Sequence, residues 1–234
     1  MIYITGDTHR DFGRIERFCR LMGTTTDDIM IILGDAGINY YEGWRDNAVK
    51  QDLSKLPITL FCIHGNHEKR PQTIQTYQLV PWHGGMVWQE TEYPNLLFAR
   101  DGDVYDLDGE KTIVIGGAYS VDKMYRILYN YGWFSDEQPS DEIKDYVEEQ
   151  LHRHDWKIDV VLSHTVPLKY EPTEVFLKNI DQHQVDKSTE EWLGQIEEKL
   201  QYRRWYAGHY HTEKKVDKLR LMFESFEQFG DDEA

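Results

Sequence analysis

An α/β fold built on parallel strands is what this sequence predicts, and three observations predict it. Short runs rich in β-branched residues alternate with longer stretches of helical spacing. The runs are apolar throughout and do not alternate with polar residues, as expected of strands covered on both faces. Several of them end directly in a polar motif. The predicted strands are residues 1–5, 29–33, 58–63, 112–115 and 160–163. Residues 12–21, 44–56 and 188–200 have helical spacing. The last begins with Ser188 and has Glu191 three positions on, the capping-box arrangement that ties down free amides at a helix start. Beyond residue 211, two short segments around Asp217-Lys218 read as a closing hairpin.

With 234 residues, 40% of them apolar and seven of them tryptophan, the chain can bury a sizeable core. No repeat or Pro/Gly/Ser-rich linker divides it, so residues 1–234 are expected to form a single domain with a frayed tail at 230–234. No run of about 18 apolar residues exists to cross a bilayer. The first residues contain neither a basic segment nor a small-residue cleavage site, so the expected location is cytoplasmic. Cys19 and Cys62 lie in apolar stretches without metal-type spacing and are expected as buried free thiols. A formal charge of −16 argues against extended nucleic-acid binding, which rests on clusters of Lys and Arg.

Five motifs stand in order: Asp7-Thr8-His9, Gly34-Asp35, Gly65-Asn66-His67-Glu68, a lone His164, and Gly208-His209-Tyr210-His211. Ligands of open α/β sheets collect at the carboxyl ends of strands, and Asp7, Asp35, Asn66 and His164 each follow a predicted strand within three residues. The i, i+2 spacing of Asp7 with His9, and of His209 with His211, predicts extended segments that aim both side chains the same way. Asp with His is ligand chemistry suited to Mn, Fe, Zn or Ni. Each motif alone has an ordinary explanation as a cap, a turn or a core histidine. The ordered set offers two carboxylates, an amide and four imidazoles, with His67 left over. That is the donor inventory of a two-metal site that hydrolyses phosphoesters. Two divalent ions against two carboxylates leave a local surplus of about two positive charges, so an acidic protein can hold a small phosphorylated substrate.

This series resembles the calcineurin-like metallophosphoesterase superfamily, over residues 7–211. The resemblance implies a four-layer α/β/β/α sandwich of two mixed sheets, with a dinuclear metal site at the strand ends. It implies Asp7, His9 and His211 on one metal, Asn66, His164 and His209 on the other, and Asp35 bridging both. His67 would be the acid near the leaving group. The cofactors would be two divalent ions, Mn favoured over Fe, Zn or Ni, with a metal-bridging hydroxide attacking phosphorus in line. Glu68 reads either as a carboxylate supporting the ligands from behind or as a helix-start charge facing solvent.

The protein Ser/Thr phosphatase branch has a glycine after its first histidine and an added Asp three residues after the bridging one. Here Arg10 and Ile38 stand at those places, so Asn39 or Glu68 would have to orient His67. Small phosphodiesters or phosphomonoesters are therefore expected as substrates ahead of phosphoproteins. A noncatalytic metal-bound interaction module is the third reading, and the intact ligand set and His67 count against it. Arg10, immediately beyond a metal ligand, is the candidate phosphate clamp and Arg126 a second one. With Asn39 and Tyr119 they complete the candidate substrate contacts. Residues 119–140 form a possible substrate-proximal insert, its aromatic residues serving either to recognise a base or sugar or to pack the insert down as a satellite core. His64, His83, His152, His154 and His183 are assigned to packing or surface.

Overall fold

Alternation within single strands builds the architecture. The computed structural model describes residues 1–230, so residues 231–234 of the expected tail lie outside the described residues. In the first sheet, β1 (Ile2–Thr5), β2 (Ile29–Ile32), β3 (Thr59–Cys62) and β6 (Leu96–Ala99) run parallel. The hairpin of β4 (Gln78–Trp82) and β5 (Gly85–Gln89) extends it antiparallel beyond β6, and β13 (Glu227–Gln228) closes the other edge against β1. In the second sheet, β8 (Glu110–Ile115), β9 (Val160–Ser163), β10 (Arg204–Ala207) and β12 (Leu219–Leu221) are parallel. Antiparallel β7 (Val104–Leu107) and β11 (Lys214–Val216) form its edges. The β11–β12 pair is the hairpin expected around Asp217-Lys218.

Ile29 and Ile31 of β2 pack in one core with Val160 and Leu162 of β9, which places the two sheets face to face. The intervening Met30 and Ile32 join Ile15 and Cys19 of α1 (Gly13–Met22) and Leu53 of α2 (Trp44–Leu53). On the far side, Val161 and Trp205 pack with Val147 and Leu151 of α4 (Asp141–Arg153) and with Leu193 and Ile196 of α5 (Ser188–Lys199). Helices, sheet, sheet and helices thus form four layers. Each central strand is apolar on both sides because it serves two cores. Both cysteines are buried free thiols, and no helix among the described residues is long and apolar enough to cross a membrane.

One local expectation fails, and one of two open readings is not met. Ser188 does not cap α5: its hydroxyl turns to Gln138 Oε1 at 3.4 Å, and Asp186 Oδ1 accepts its amide at 2.9 Å. A preceding carboxylate has taken the role that the capping box gives to the serine. Nor does the helix within the 119–140 segment, α3 (Lys123–Leu128), bury a satellite core, since none of its residues is buried. Tyr125 contacts both Tyr129 and Tyr131 while all three are exposed, and polar bonds hold the segment down. Arg126 reaches Asp122, the Tyr40 hydroxyl and the Gly132 carbonyl, and Trp133 Nε1 donates to Glu137 at 2.8 Å.

Candidate metal centre

The loops after β1, β2, β3, β9 and β10 deliver all seven ligand candidates to one rim. Asp7, His9 and His211 present donor atoms within 4.8 Å of one another, and so do Asp7, Asp35 and His164. His9 Nε2 and His211 Nε2 face each other at 2.7 Å, with Asp7 Oδ2 at 3.7 and 3.3 Å from them. A second group forms around Asn66, whose Oδ1 lies 2.8 Å from His164 Nε2 and 3.1 Å from His209 Nδ1. Asp35 stands between the groups: its Oδ2 is 3.9 Å from His9 Nε2 and 3.7 Å from His164 Nε2.

These atoms fit metal ions. Ligands about 2.1 Å from a common ion lie roughly 3–3.5 Å apart, close to the separations found here. Asp7 Oδ2 is buried with no hydrogen-bond partner among the described residues, an expensive condition for a carboxylate that no cation satisfies. Burial by itself would raise the Asp7 carboxyl. The His211 imidazole and the charges of His164 and His9 prevail and hold it well below the usual range. His211 is raised in turn by Asp7, while His209 is pushed down to about 3 by burial, with His164 beside it. A neutral imidazole is the form that binds metal.

Backbone strain builds the rim. His9, Asp35, His209 and His211 all have left-handed φ, at 46°, 44°, 67° and 49°. The expected extended i, i+2 segments are therefore turns. Left-handed backbone at His209 and His211 sends one imidazole to Asn66 and the other to Asp7, so the two do not point the same way. Such conformations cost energy and persist where surroundings impose them. Gly34, at φ 97°, shows how tight the imposition is, because a Cβ there would lie 2.0 Å from His164 Nδ1. That same nitrogen is 2.8 Å from the Leu33 carbonyl, a contact that makes Nδ1 the donor and leaves Nε2 free as a ligand.

His67 lies over this rim. Its backbone amide donates to Asp35 Oδ1 at 2.7 Å, and its Nε2 is 4.0 Å from Asp35 Oδ2 and 3.5 Å from Arg126 Nη2. Burial, with Arg126 adding to it, lowers the His67 imidazole against the pull of Asp35. Its Nδ1 has no hydrogen-bond partner among the described residues. Neither expected orienting group reaches it. Asn39 accepts from the Tyr77 hydroxyl at 3.1 Å, and Ile38 is wholly buried in the core beneath α1 and α2. Glu68 does not face solvent: it is fully buried and accepts the amides of Gly37 and Gly65, tying the second and third motif loops together. Burial and the nearby Asp35 raise it to about 8.

The candidate substrate contacts divide. Arg10 turns its guanidinium to Asp46 Oδ1 at 2.6 Å and to the carbonyls of Gly37 and Arg45, and it is absent from the cavity beside the ligand candidates. A carboxylate already occupies the fork meant for phosphate. Tyr119 lines that cavity, and Arg126 reaches the edge of His67. Sequence reasoning missed Ser120, buried in the same segment, whose hydroxyl accepts from Asn66 Nδ2 at 2.8 Å and so turns Asn66 Oδ1 toward the two histidines. It stands five residues beyond β8, the position after a strand that revealed the other motifs.

Glu190 of α5 also lines the cavity. Its Oε1 accepts from Thr165, and burial raises it to about 7 against an ordinary 4.5. Glu171 adds to the rise and Lys187 opposes it. A carboxyl raised on folding holds its proton when the unfolded chain has lost it, so stability should fall as pH climbs from about 4.5 to 7 and stay lower above. Glu190→Gln keeps the Thr165 acceptor. It should unfold at higher urea than the parent at pH 8, by up to about 3 kcal/mol for the full window, and show no gain at pH 4.

A family model described as calcineurin-like phosphoesterase matches residues 1–213. No curated protein matches the chain. Among solved structures the chain is similar to TT1561 of Thermus thermophilus, at 12% identity and TM-score 0.49, covering 95% of this chain and 87% of that one. It is also similar to AQ665 from Aquifex aeolicus, a protein of unknown function, at 14% identity and TM-score 0.35, covering 73% and 81%. The family implies divalent metal ions and a phosphorylated substrate. With its ordered ligand candidates gathered at one rim and the family match running through all five motifs, the chain belongs to the calcineurin-like phosphoesterases.

Proposed function

We propose that the protein hydrolyses small phosphodiesters or phosphomonoesters with two divalent ions, manganese foremost. The observation that carries this reading is Asp35 Oδ2, buried within 3.7–4.0 Å of the Nε2 atoms of His9, His67 and His164. Asp7, His9 and His211 would hold one ion, Asn66, His164 and His209 the other, and Asp35 both. When bound, the ions supply Lewis acidity, neutralising phosphate charge and acidifying water. The protein does the rest. Leu33 and Ser120 fix which atoms of His164 and Asn66 face inward. His67 Nε2, which now faces Arg126 Nη2 at 3.5 Å, would give a hydrogen bond or proton to the departing oxygen once protonated there. Arg126, braced by both Asp122 oxygens at 2.8 Å, offers its outer nitrogen to a phosphate oxygen beside His67.

Arg126→Ala should lower kcat/KM about 10- to 100-fold, as loss of one charge-assisted contact does, with metal content intact. An unchanged value would leave Arg126 a brace for its own loop. The function itself is tested by loading the protein with manganese and comparing an aryl diester, a nucleotide and a phosphoserine peptide. Small esters should be cleaved ahead of the peptide, and a clear preference for the peptide would favour a protein phosphatase.

A further inference from the structure

The ligand cluster forms one side of a cavity of about 400 Å³, and the opposite side has a different chemistry. Val121, Val175, Phe176, Leu177, Ile180 and Val185 line it. Val175 and Leu177 are 41% and 59% exposed, so no protein core uses them. Contiguous exposed apolar side chains of this kind mark a binding surface. The acidic side chains on the wall are Asp122, Glu171, Asp186 and the buried Glu190, and neither Lys nor Arg is among the lining residues. Arg126 and Lys187 are bonded to Asp122 and Glu171, which leaves Asp186 and Glu190 without an opposing cation within ion-pair distance among the described residues. Phe176 and Tyr210 lie parallel, their ring centres 6.1 Å apart. Because Tyr210 separates His209 from His211, the apolar wall is continuous with the metal ligands.

We propose that this wall receives the organic arm of the phosphoester, and that the arm is apolar and carries no second negative charge. The proposal rests on the phosphoesterase reading for the other end of the substrate. With the phosphate held at the ligand cluster, an arm attached to it extends along the cavity onto the aliphatic and aromatic side chains. A second phosphate or a carboxylate on that arm would meet Asp186, which no cation pairs among the described residues, and would find the nearby cations Arg126 and Lys187 already bound to Asp122 and Glu171, in a half-enclosed space where repulsion is weakly screened. The cavity volume lies in the range that takes ring-sized organic groups.

The test compares phenyl, 4-butylphenyl and 4-(3-carboxypropyl)phenyl phosphates, each as the monoester and as the methyl diester, with the manganese-loaded full chain. The methylenes insulate the ester, so the three leaving groups have nearly equal reactivity. At about fourfold per buried methylene, kcat/KM for the butyl ester should exceed that for the phenyl ester at least about 10-fold. The carboxypropyl ester should lose that gain. Leu177→Asp should bring the butyl-to-phenyl ratio close to one, whereas Leu21→Asp, on the exposed surface of α1, should leave the ratio as it was. Binding of 4-butylphenol and phenol, followed by saturation-transfer NMR, gives a readout that needs no turnover. A butyl-to-phenyl ratio of one or less in the parent, or a ratio that survives Leu177→Asp, overturns the proposal. If no ester is cleaved, the phosphoesterase reading fails by itself. Butylphenol binding, and its loss in Leu177→Asp, then decides the apolar wall.

Discussion

Asp35→Asn will lose metal and activity together. Asp35 is 1% exposed, and its Oδ2 lies between both ligand groups, 3.9 Å from His9 Nε2 and 3.7 Å from His164 Nε2. The amide keeps the shape of the side chain, and its oxygen can still accept the His67 amide that Oδ1 now takes at 2.7 Å, so the loops should fold as before. What disappears is one negative charge where two cations would meet. Two charge-assisted contacts of roughly 1.5–3 kcal/mol each correspond to a loss of about 10²- to 10⁴-fold in turnover at limiting metal. Elemental analysis after dialysis should find less than one ion per chain, against two in the parent. Retention of two ions would remove Asp35 from the bridging position.

His67→Ala should separate what Asp35→Asn joins. His67 contributes a backbone amide to Asp35, which alanine retains, and an imidazole that lies over the ligand groups. Metal content should therefore stay at the parent level while kcat falls about 10²- to 10⁴-fold, the usual worth of a positioned proton donor. The loss should shrink for esters with acidic leaving groups, which need little protonation to depart. If the variant is as metal-poor as Asp35→Asn, His67 is a ligand and the donor must be sought elsewhere.

The inner strands β1, β2, β3, β8 and β9 could be read from the sequence because each serves two cores, and no polar residue interrupts Ile29–Ile32 or Val160–Val161-Leu162. The inner strands β6 and β10 escape that reading, since Leu96–Ala99 and Arg204–Ala207 contain no β-branched residue. Of the edges, β11 alone was legible, as part of the closing hairpin. β4 is half solvent-facing and contains Pro81, and β13 is two residues long, with Tyr3 opposite Gln228, so pairing defines it and pattern does not. The ligand candidates were visible because each sits just beyond a strand, where the fold itself brings separate loops together. Their conformation was hidden, since nothing local in Asp7-Thr8-His9 announces a left-handed His9. Arg10 illustrates a further limit. Its carboxylate partner Asp46 is 36 residues away, and a sequence does not reveal whether a guanidinium next to a ligand faces substrate or protein.

Ser120 and Arg126 are six residues apart on one excursion from the second sheet, and they face different tasks. The first sets the amide of Asn66, and the second reaches the edge of His67. Evolution or an engineer reshaping this excursion to admit a new substrate would thereby also disturb a ligand's aim, by the 10- to 100-fold in metal affinity that such supporting bonds are typically worth. With Asn66 as ligand and Arg126 as phosphate contact, as proposed, cofactor retention and substrate choice would be inherited as one trait, and grafting the excursion between relatives should transfer both or neither.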